Sequence, residues 1–274
     1  MRESYRESLR EIDTLMIEMT RLVGRAMSHA TQALLDADLQ EAEAVIADDS
    51  KLDQINLEVD DRAFQLVARQ QPVAGELRRL LSSLRISSSL ERMGDLAVHV
   101  AKTTRLRYPS SVVPVELRGV ISDMGAVAQR IVHQTGAAMS SHSVEQARHA
   151  VETDAEMNRL HREMFNIIMS PAWTHGVEAA VDLTLVSRFY ERFADHAVTI
   201  NKRIVHVVTG EPYTSGKGQA ATACTTRSSL KAQRSSSEPP PRTSSRASAS
   251  ARWPAACSAR TRDSGASAPC TRLG

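Results

Sequence analysis

Two near-copies of one block hold the carboxylates most able to do chemistry: Leu90-Glu91-Arg92-Met93-Gly94-Asp95 and Tyr190-Glu191-Arg192-Phe193-Ala194-Asp195, one hundred residues apart. A Glu and an Asp four residues apart project from one side of a helix, one turn apart. Like charges at that spacing repel, which raises the question of what cation lies between them. Asp49 and Asp53 repeat the spacing upstream. They precede Pro72 by 23 and 19 residues, while Glu91 and Asp95 follow it by 19 and 23. If a short turn at Pro72 joins two antiparallel helices, these equal arms bring all four carboxylates to one level. A hard, oxygen-seeking cation such as Mg²⁺, Mn²⁺, Fe or Ca²⁺ would relieve the crowding.

The second block has a looser counterpart. Asp154 and Asn158 precede Pro171 by 17 and 13 residues, and Glu191 and Asp195 follow it by 20 and 24. The fifth helix therefore needs extra turn residues, and Asn158 stands where a fourth acid is expected. Glu152 and Glu156 flank Asp154 and are alternative ligands. The plainer reading of every such pair is a solvated acidic face with intrahelical ion pairs, Arg92 to Asp95 at i,i+3 being one. His99 and His196 lie beside the blocks and read as auxiliary ligands or, more ordinarily, as surface histidines.

Other chemistries find no footing. Di-iron bundles use Glu-x-x-His on two helices, and this chain has no such motif. Residues 1–213 contain no Cys, no GxSxG and no GxxxxGK. No enzymatic function is expected; a carboxylate-bridged metalloenzyme or metal-storage bundle is the alternative to a metal-binding regulator.

The elements that must position these residues are helices. Apolar residues recur at three and four from Ser4 to about Asp36, from Leu39 to about Gln70, and from about Val73 to Leu106. After a linker at Tyr108-Pro109-Ser110-Ser111, the cycle repeats over Val115 to about Met139, Val144 to Ile168, and about Val177 to Val208. Asp38 and Ser143 are the expected N-caps, Pro72 is expected in the first turn of the third helix, and Gly210 ends the sixth. Residues Leu77, Leu81, Leu84, Ser88, Glu91, Asp95 and Val98 form one line on the third helix. Ile86, Leu90, Met93, Ala97 and Val100 form another on roughly the opposite side, so this helix is expected in the middle of a bundle. At an offset of 105, Asp38 matches Ser143, Asp49 matches Asp154 and Asp53 falls on Asn158. The expected fold class is all-α: two pseudo-repeated antiparallel three-helix bundles, over residues 1–110 and 111–213, followed by a disordered tail.

Charge separates the tail from the rest. Residues 1–213 hold 24 basic and 30 acidic side chains, a net of −6, whereas 214–274 carry a net of +8, giving +2 for the chain. The tail contains all three cysteines, thirteen serines and five of the ten prolines, with Leu230 and Leu273 but no Ile, Val, Phe or Met. It cannot bury enough apolar surface to offset the entropy of ordering. Out-of-frame translation of a GC-rich gene is the preferred origin of this composition; a basic tail touching anionic partners is the other. No function is assigned to it, and no direct nucleic-acid partner is expected. There is no run of about 18 apolar residues and no apolar leader after the charged N-terminus, so a cytoplasmic protein is expected.

Taken together, Asp49-Ser50-Lys51-Leu52-Asp53, the Arg69-Gln70-Gln71-Pro72-Val73-Ala74-Gly75-Glu76-Leu77-Arg78 junction and the two Glu-Arg-x-x-Asp blocks resemble the PhoU family of phosphate-signalling regulators. The likeness covers about residues 1–213. It implies two three-helix bundles and metal ions held at Asp49, Asp53, Glu91 and Asp95 and at Asp154, Glu191 and Asp195, with Asn158 weakening the second site. It also implies a cytoplasmic homodimer that represses the phosphate-starvation response. Such an adaptor would bridge the ATPase of a phosphate-specific ABC transporter and a sensor histidine kinase, reaching the membrane only through those partners.

Overall fold

The computed structural model describes residues 2–211 and 213. The tail expectations concern residues outside that range. Among the described residues there are six long α-helices and no strand: α1 (Arg2–Asp36), α2 (Leu39–Gln70), α3 (Ala74–Arg107), α4 (Arg118–Ser141), α5 (Val144–Ile168) and α6 (Gly176–Thr209), with one 3-10 turn (Val115–Leu117) before α4. The helix bounds fall within a few residues of those expected from periodicity.

The two halves use the same local chemistry at their first turn. Ala37 and His142, 105 residues apart, both take the left-handed conformation that closes a helix, at φ 51° and 53°. The next residue in each case is an N-cap. Asp38 accepts a hydrogen bond from the Glu41 amide at 3.1 Å, and Ser143 accepts one from the Gln146 amide at 3.3 Å. Gly210 closes α6 at φ 81°, as expected.

The second turns differ. Only residues 71–73 separate α2 from α3, whereas 169–175 separate α5 from α6. The longer connection supplies the extra turn residues that the shorter arm of α5 requires. Trp173 anchors it, donating its indole N–H to the Gly176 carbonyl at 2.9 Å. Pro72 lies two residues before the first helical position, short of its expected place in a first helical turn. Val73, extended at φ −123° and ψ 157°, is the cap, and α3 starts at Ala74.

Four helices make the centre of the body. α1 packs on α2, α3 and α4; α4 packs on α5 and α6; and α3 packs on α6, leaving α2 and α5 on the outside. α1 and α4 run antiparallel at close range: a Cβ on Gly125 would lie 2.7 Å from Thr31 Cγ2. α3 and α6 are antiparallel as well, since His99 stacks on Phe189 (ring centroids 5.3 Å apart) while Arg107 pairs with Asp182 further along. The buried stripe Ile86, Leu90, Met93, Ala97 and Val100 faces the core, as the periodicity predicted. The other line of α3 is less uniform. Val98 is buried, but Leu81 is 46% exposed and Leu77 only half-buried, because they border a surface cleft rather than a neighbouring helix.

Candidate metal centre

α2 turns its apolar stripe, including Val45, Leu52 and Val59, onto α1 and α3. Asp49 and Asp53, on either side of Leu52, are thereby held at the α2–α3 seam. The two helices approach closely here because Gly94 has no side chain. A Cβ on Gly94 would lie 2.2 Å from Leu52 Cδ2 and 3.3 Å from Asp49 Oδ1. The equal-arm argument thus places Asp49 opposite the Glu91–Asp95 turn.

Electrostatics shows that all four carboxylates share one neighbourhood. The Asp49 carboxyl is pushed above its ordinary value, first by burial and then by Asp53 and Asp95, with Lys102 and His99 pulling the other way. Glu91 is raised first by burial, next by Asp95 against the opposing pull of Arg92, and then by Asp53 and Asp49. Asp49, Glu91 and Asp95 are half-buried, and Asp53 is exposed.

The second cluster is a weaker copy. Asp154 is raised by burial and then by Asp195, opposed by a hydrogen bond from Asn158, with Glu191 raising it further and Lys202 lowering it. Asn158 Nδ2 donates to Asp154 Oδ2 at 2.6 Å and to the Asp154 carbonyl at 3.1 Å. It satisfies one carboxylate oxygen that a fourth acid would repel. Asp154 Oδ1 is buried with no hydrogen-bond partner. Glu156 is drawn off to Arg130 and Glu152 points to solvent, so neither takes the place of the missing acid.

Part of the plainer intrahelical reading is realised too. Arg92 donates to Asp95 at 2.9 Å and lies 3.4 Å from Glu91, and Arg188 pairs with Glu191. No three carboxylate or imidazole groups among the described residues are gathered closely enough to hold a metal ion. The donor set suits a hard cation, and Asp154 keeps an unpartnered oxygen for one.

His99 is exposed and spends Nδ1 on the Asp95 carbonyl at 2.6 Å. His196 is half-buried and its pKa is lowered by burial, then by Arg192, and also by Arg92 from across the α3–α6 seam, with Asp195 opposing. Sequence reasoning missed Lys102 and Lys202, which face Asp49 and Asp154. Each stands seven residues after the Asp of its block, two turns along the same helix face, and the one-hundred-residue repeat pairs them.

The family profile described as PhoU domain matches residues 16–104 and again 121–204. Over 210 residues the chain is 45% identical to the phosphate-specific transport system accessory protein PhoU homolog 2 of Mycobacterium tuberculosis, covering 77% of this chain and 99% of that protein. It is equally 45% identical to PhoU homolog 1 of Mycobacterium leprae, covering 95% of the relative. Among solved structures, the phosphate transport system regulatory protein PhoU from Streptococcus pneumoniae matches with a TM-score of 0.70 at 22% identity, over 77% of this chain and all of that one. PhoU from Pseudomonas aeruginosa gives 0.67 at 24% identity over 76% of this chain. These two share the fold of six-helix bundles seen here.

Proposed function

We propose a function from one premise: the chain belongs to the PhoU family. It serves as an accessory, regulatory protein of phosphate transport, the role that the names of its relatives carry. In this reading it is a non-enzymatic cytoplasmic homodimer that represses the phosphate-starvation response. It links the ATPase of a phosphate-specific ABC transporter to a sensor histidine kinase. Among the described residues no helix is long and apolar enough to cross a membrane.

Metal ions belong to the same reading. Asp49, Asp53, Glu91 and Asp95 would hold the first, and Asp154, Glu191 and Asp195 the second, with Mg²⁺, Mn²⁺ or Fe as the ion. The observation that supports this most is that Asp49 and Glu91, each raised first by burial, are raised further by acids from across the α2–α3 seam, Asp95 on Asp49 and Asp53 and Asp49 on Glu91. A bound cation would neutralise that repulsion and fix the two helices at one separation. The residues themselves supply oxygen donors.

Metal content per chain is the first test, measured on protein purified without a metal-affinity tag and loaded with Mn²⁺ or Fe²⁺. Glu91→Ala with Asp95→Ala should remove the first cluster's share, and unchanged content would refute the site. Oxygen uptake on adding Fe²⁺ would instead favour the metalloenzyme alternative. For the regulatory role, a deletion strain should express phosphate-starvation genes in high phosphate; normal repression there, with no second copy of the gene, would count against it.

A further inference from the structure

We propose that the cleft between the start of α3 and the end of α6 binds a phosphate-class oxyanion, free or carried on a small molecule. This open cleft of about 310 Å³ is lined by Arg78, Arg85, Arg203 and His206, with Leu77 and Leu81 at its border. Its volume falls at the lower end of the roughly 300–1,000 Å³ range of small-molecule sites. None of the three arginines has a carboxylate within ion-pair distance among the described residues, although the helical body is acidic overall. Arg203 Nε is buried with no hydrogen-bond partner. A buried unpartnered N–H is a deficit that a missing acceptor would explain. Burial, then the neighbouring Arg85, lower the Arg203 pKa, so the two guanidinium groups press on one another without a counter-ion. Arg78 lies over Gly210 at the C-terminal cap of α6.

The pseudo-repeat provides an internal control. One hundred residues along, Arg78, Ser82 and Arg85 become Glu178, Asp182 and Leu185, while Arg203 and His206 correspond to Thr103 and Leu106. At that opposite end of the α3–α6 seam the cation is paired with acids: Arg107 donates to Asp182 at 2.6 and 3.1 Å and also pairs with Glu178. The same backbone arrangement therefore has its arginine paired with acids at one end and its arginines left without them at the other. Three guanidinium forks from two helices suit a tetrahedral anion, whose several oxygens can be shared in pairs among bidentate contacts. A carboxylate has only two oxygens to share among them.

Isothermal titration calorimetry on the full chain tests this, in phosphate-free buffer with EDTA so that no metal bridges an anion to the carboxylates. Orthophosphate, pyrophosphate and ATP are titrated separately. One saturable site is expected, tightest for orthophosphate if the ligand is free phosphate, and for pyrophosphate or ATP if the phosphate is carried. Arg203→Gln should weaken binding by about tenfold or more, as loss of a charge-assisted bidentate contact does. Arg85→Gln, at an exposed position and safe for folding, should do likewise. Arg105→Gln, away from the cleft, should leave binding unchanged, as should Glu91→Ala with Asp95→Ala, which separates this site from the metal reading. No saturable binding of any of the three probes would overturn the proposal, as would binding that survives both cleft variants. Binding of a poly-glutamate peptide in place of all three probes would overturn it in favour of protein docking.

Discussion

Replacing Gly94 by Ala probes the closeness of α2 and α3 at the carboxylate cluster. The added methyl would lie 2.2 Å from Leu52 Cδ2, far inside contact distance, and 3.3 Å from Asp49 Oδ1. Leu52 is only 4% exposed, so its isobutyl end must find another rotamer within the core or lift α2 outward. Overpacking of this kind costs about 1–3 kcal/mol, and the flexible end of a Leu places the cost near 1–2. Against it stands the helix-propensity gain of Ala over Gly, about 0.8–1.0 kcal/mol. The control is Gly119→Ala on α4, where a Cβ meets nothing within 4 Å and only the propensity gain acts. The two variants should therefore differ by about 1–2 kcal/mol, or roughly 2–8 °C in thermal midpoint for a body of this size. Thermal unfolding by circular dichroism, without metal and then with Mn²⁺, measures both stability and the metal response. Gly94→Ala should also blunt the stabilisation by Mn²⁺, because it displaces Asp49. A Gly94→Ala protein as stable as the Gly119→Ala protein would refute the close-approach argument.

Three further outcomes are expected. Asp49, Glu91 and Asp154 have folded pKa values raised above their ordinary ones, so the folded state binds protons more tightly than the unfolded chain. Their contribution is present below about pH 4 and lost as pH rises through the raised values. The advantage of Asp49→Asn with Glu91→Gln over the parent, in metal-free urea midpoints, should accordingly grow from acid to neutral pH; a pH-independent difference would contradict it. Asn158→Asp replaces a 2.6 Å hydrogen bond to Asp154 with a like charge, so metal-free stability should fall by about 1–3 kcal/mol while bound metal per chain rises. Tyr190→Phe removes the hydroxyl that donates to Thr31 at 2.6 Å in the core. Thr31 still donates to the Met27 carbonyl, so the loss should be about 0.5–1.5 kcal/mol by chemical denaturation.

The helices were legible because their periodic stretches are long, and three of the ends that the sequence declares, Asp38, Ser143 and Gly210, act as expected. Register across the first turn was legible for a geometric reason, since equal arms on two antiparallel helices of fixed rise leave little freedom. Pro72 was misplaced by a residue or two because a proline tolerated in a first turn is equally tolerated just before one. Leu77 and Leu81 continued an apolar line that periodicity assigns to packing, yet they line a cleft; pattern reports which face a residue takes, not whether anything covers it. The contributions of Arg92 and Arg188 depend on rotamers, on which spacing is silent. Lys102 and Lys202 stand at matched seven-residue steps, but a lysine two turns along a helix is equally an ordinary solvated side chain, so spacing alone does not mark it.

Duplication of a backbone does not duplicate its chemistry, and the α3–α6 seam shows where the two part. Because the helices are antiparallel, both Glu-Arg-x-x-Asp blocks fall near its middle, close enough for Arg92 to act on His196. Towards either end, positions related by one hundred residues carry opposite or neutral groups: Arg78 against Glu178, and Arg85 against Leu185. Within the clusters, Gly94 against Ala194 and Asp53 against Asn158 make the first tighter and more acidic than the second. The repulsion that remains in the first cluster costs stability unless a cation relieves it, whereas Asn158 has already relieved much of it in the second. The Glu-Arg-x-x-Asp blocks, alike in sequence, are therefore unlike as sites: the first is the more crowded with negative charge, and the difference is set by the residues facing them from α2 and α5.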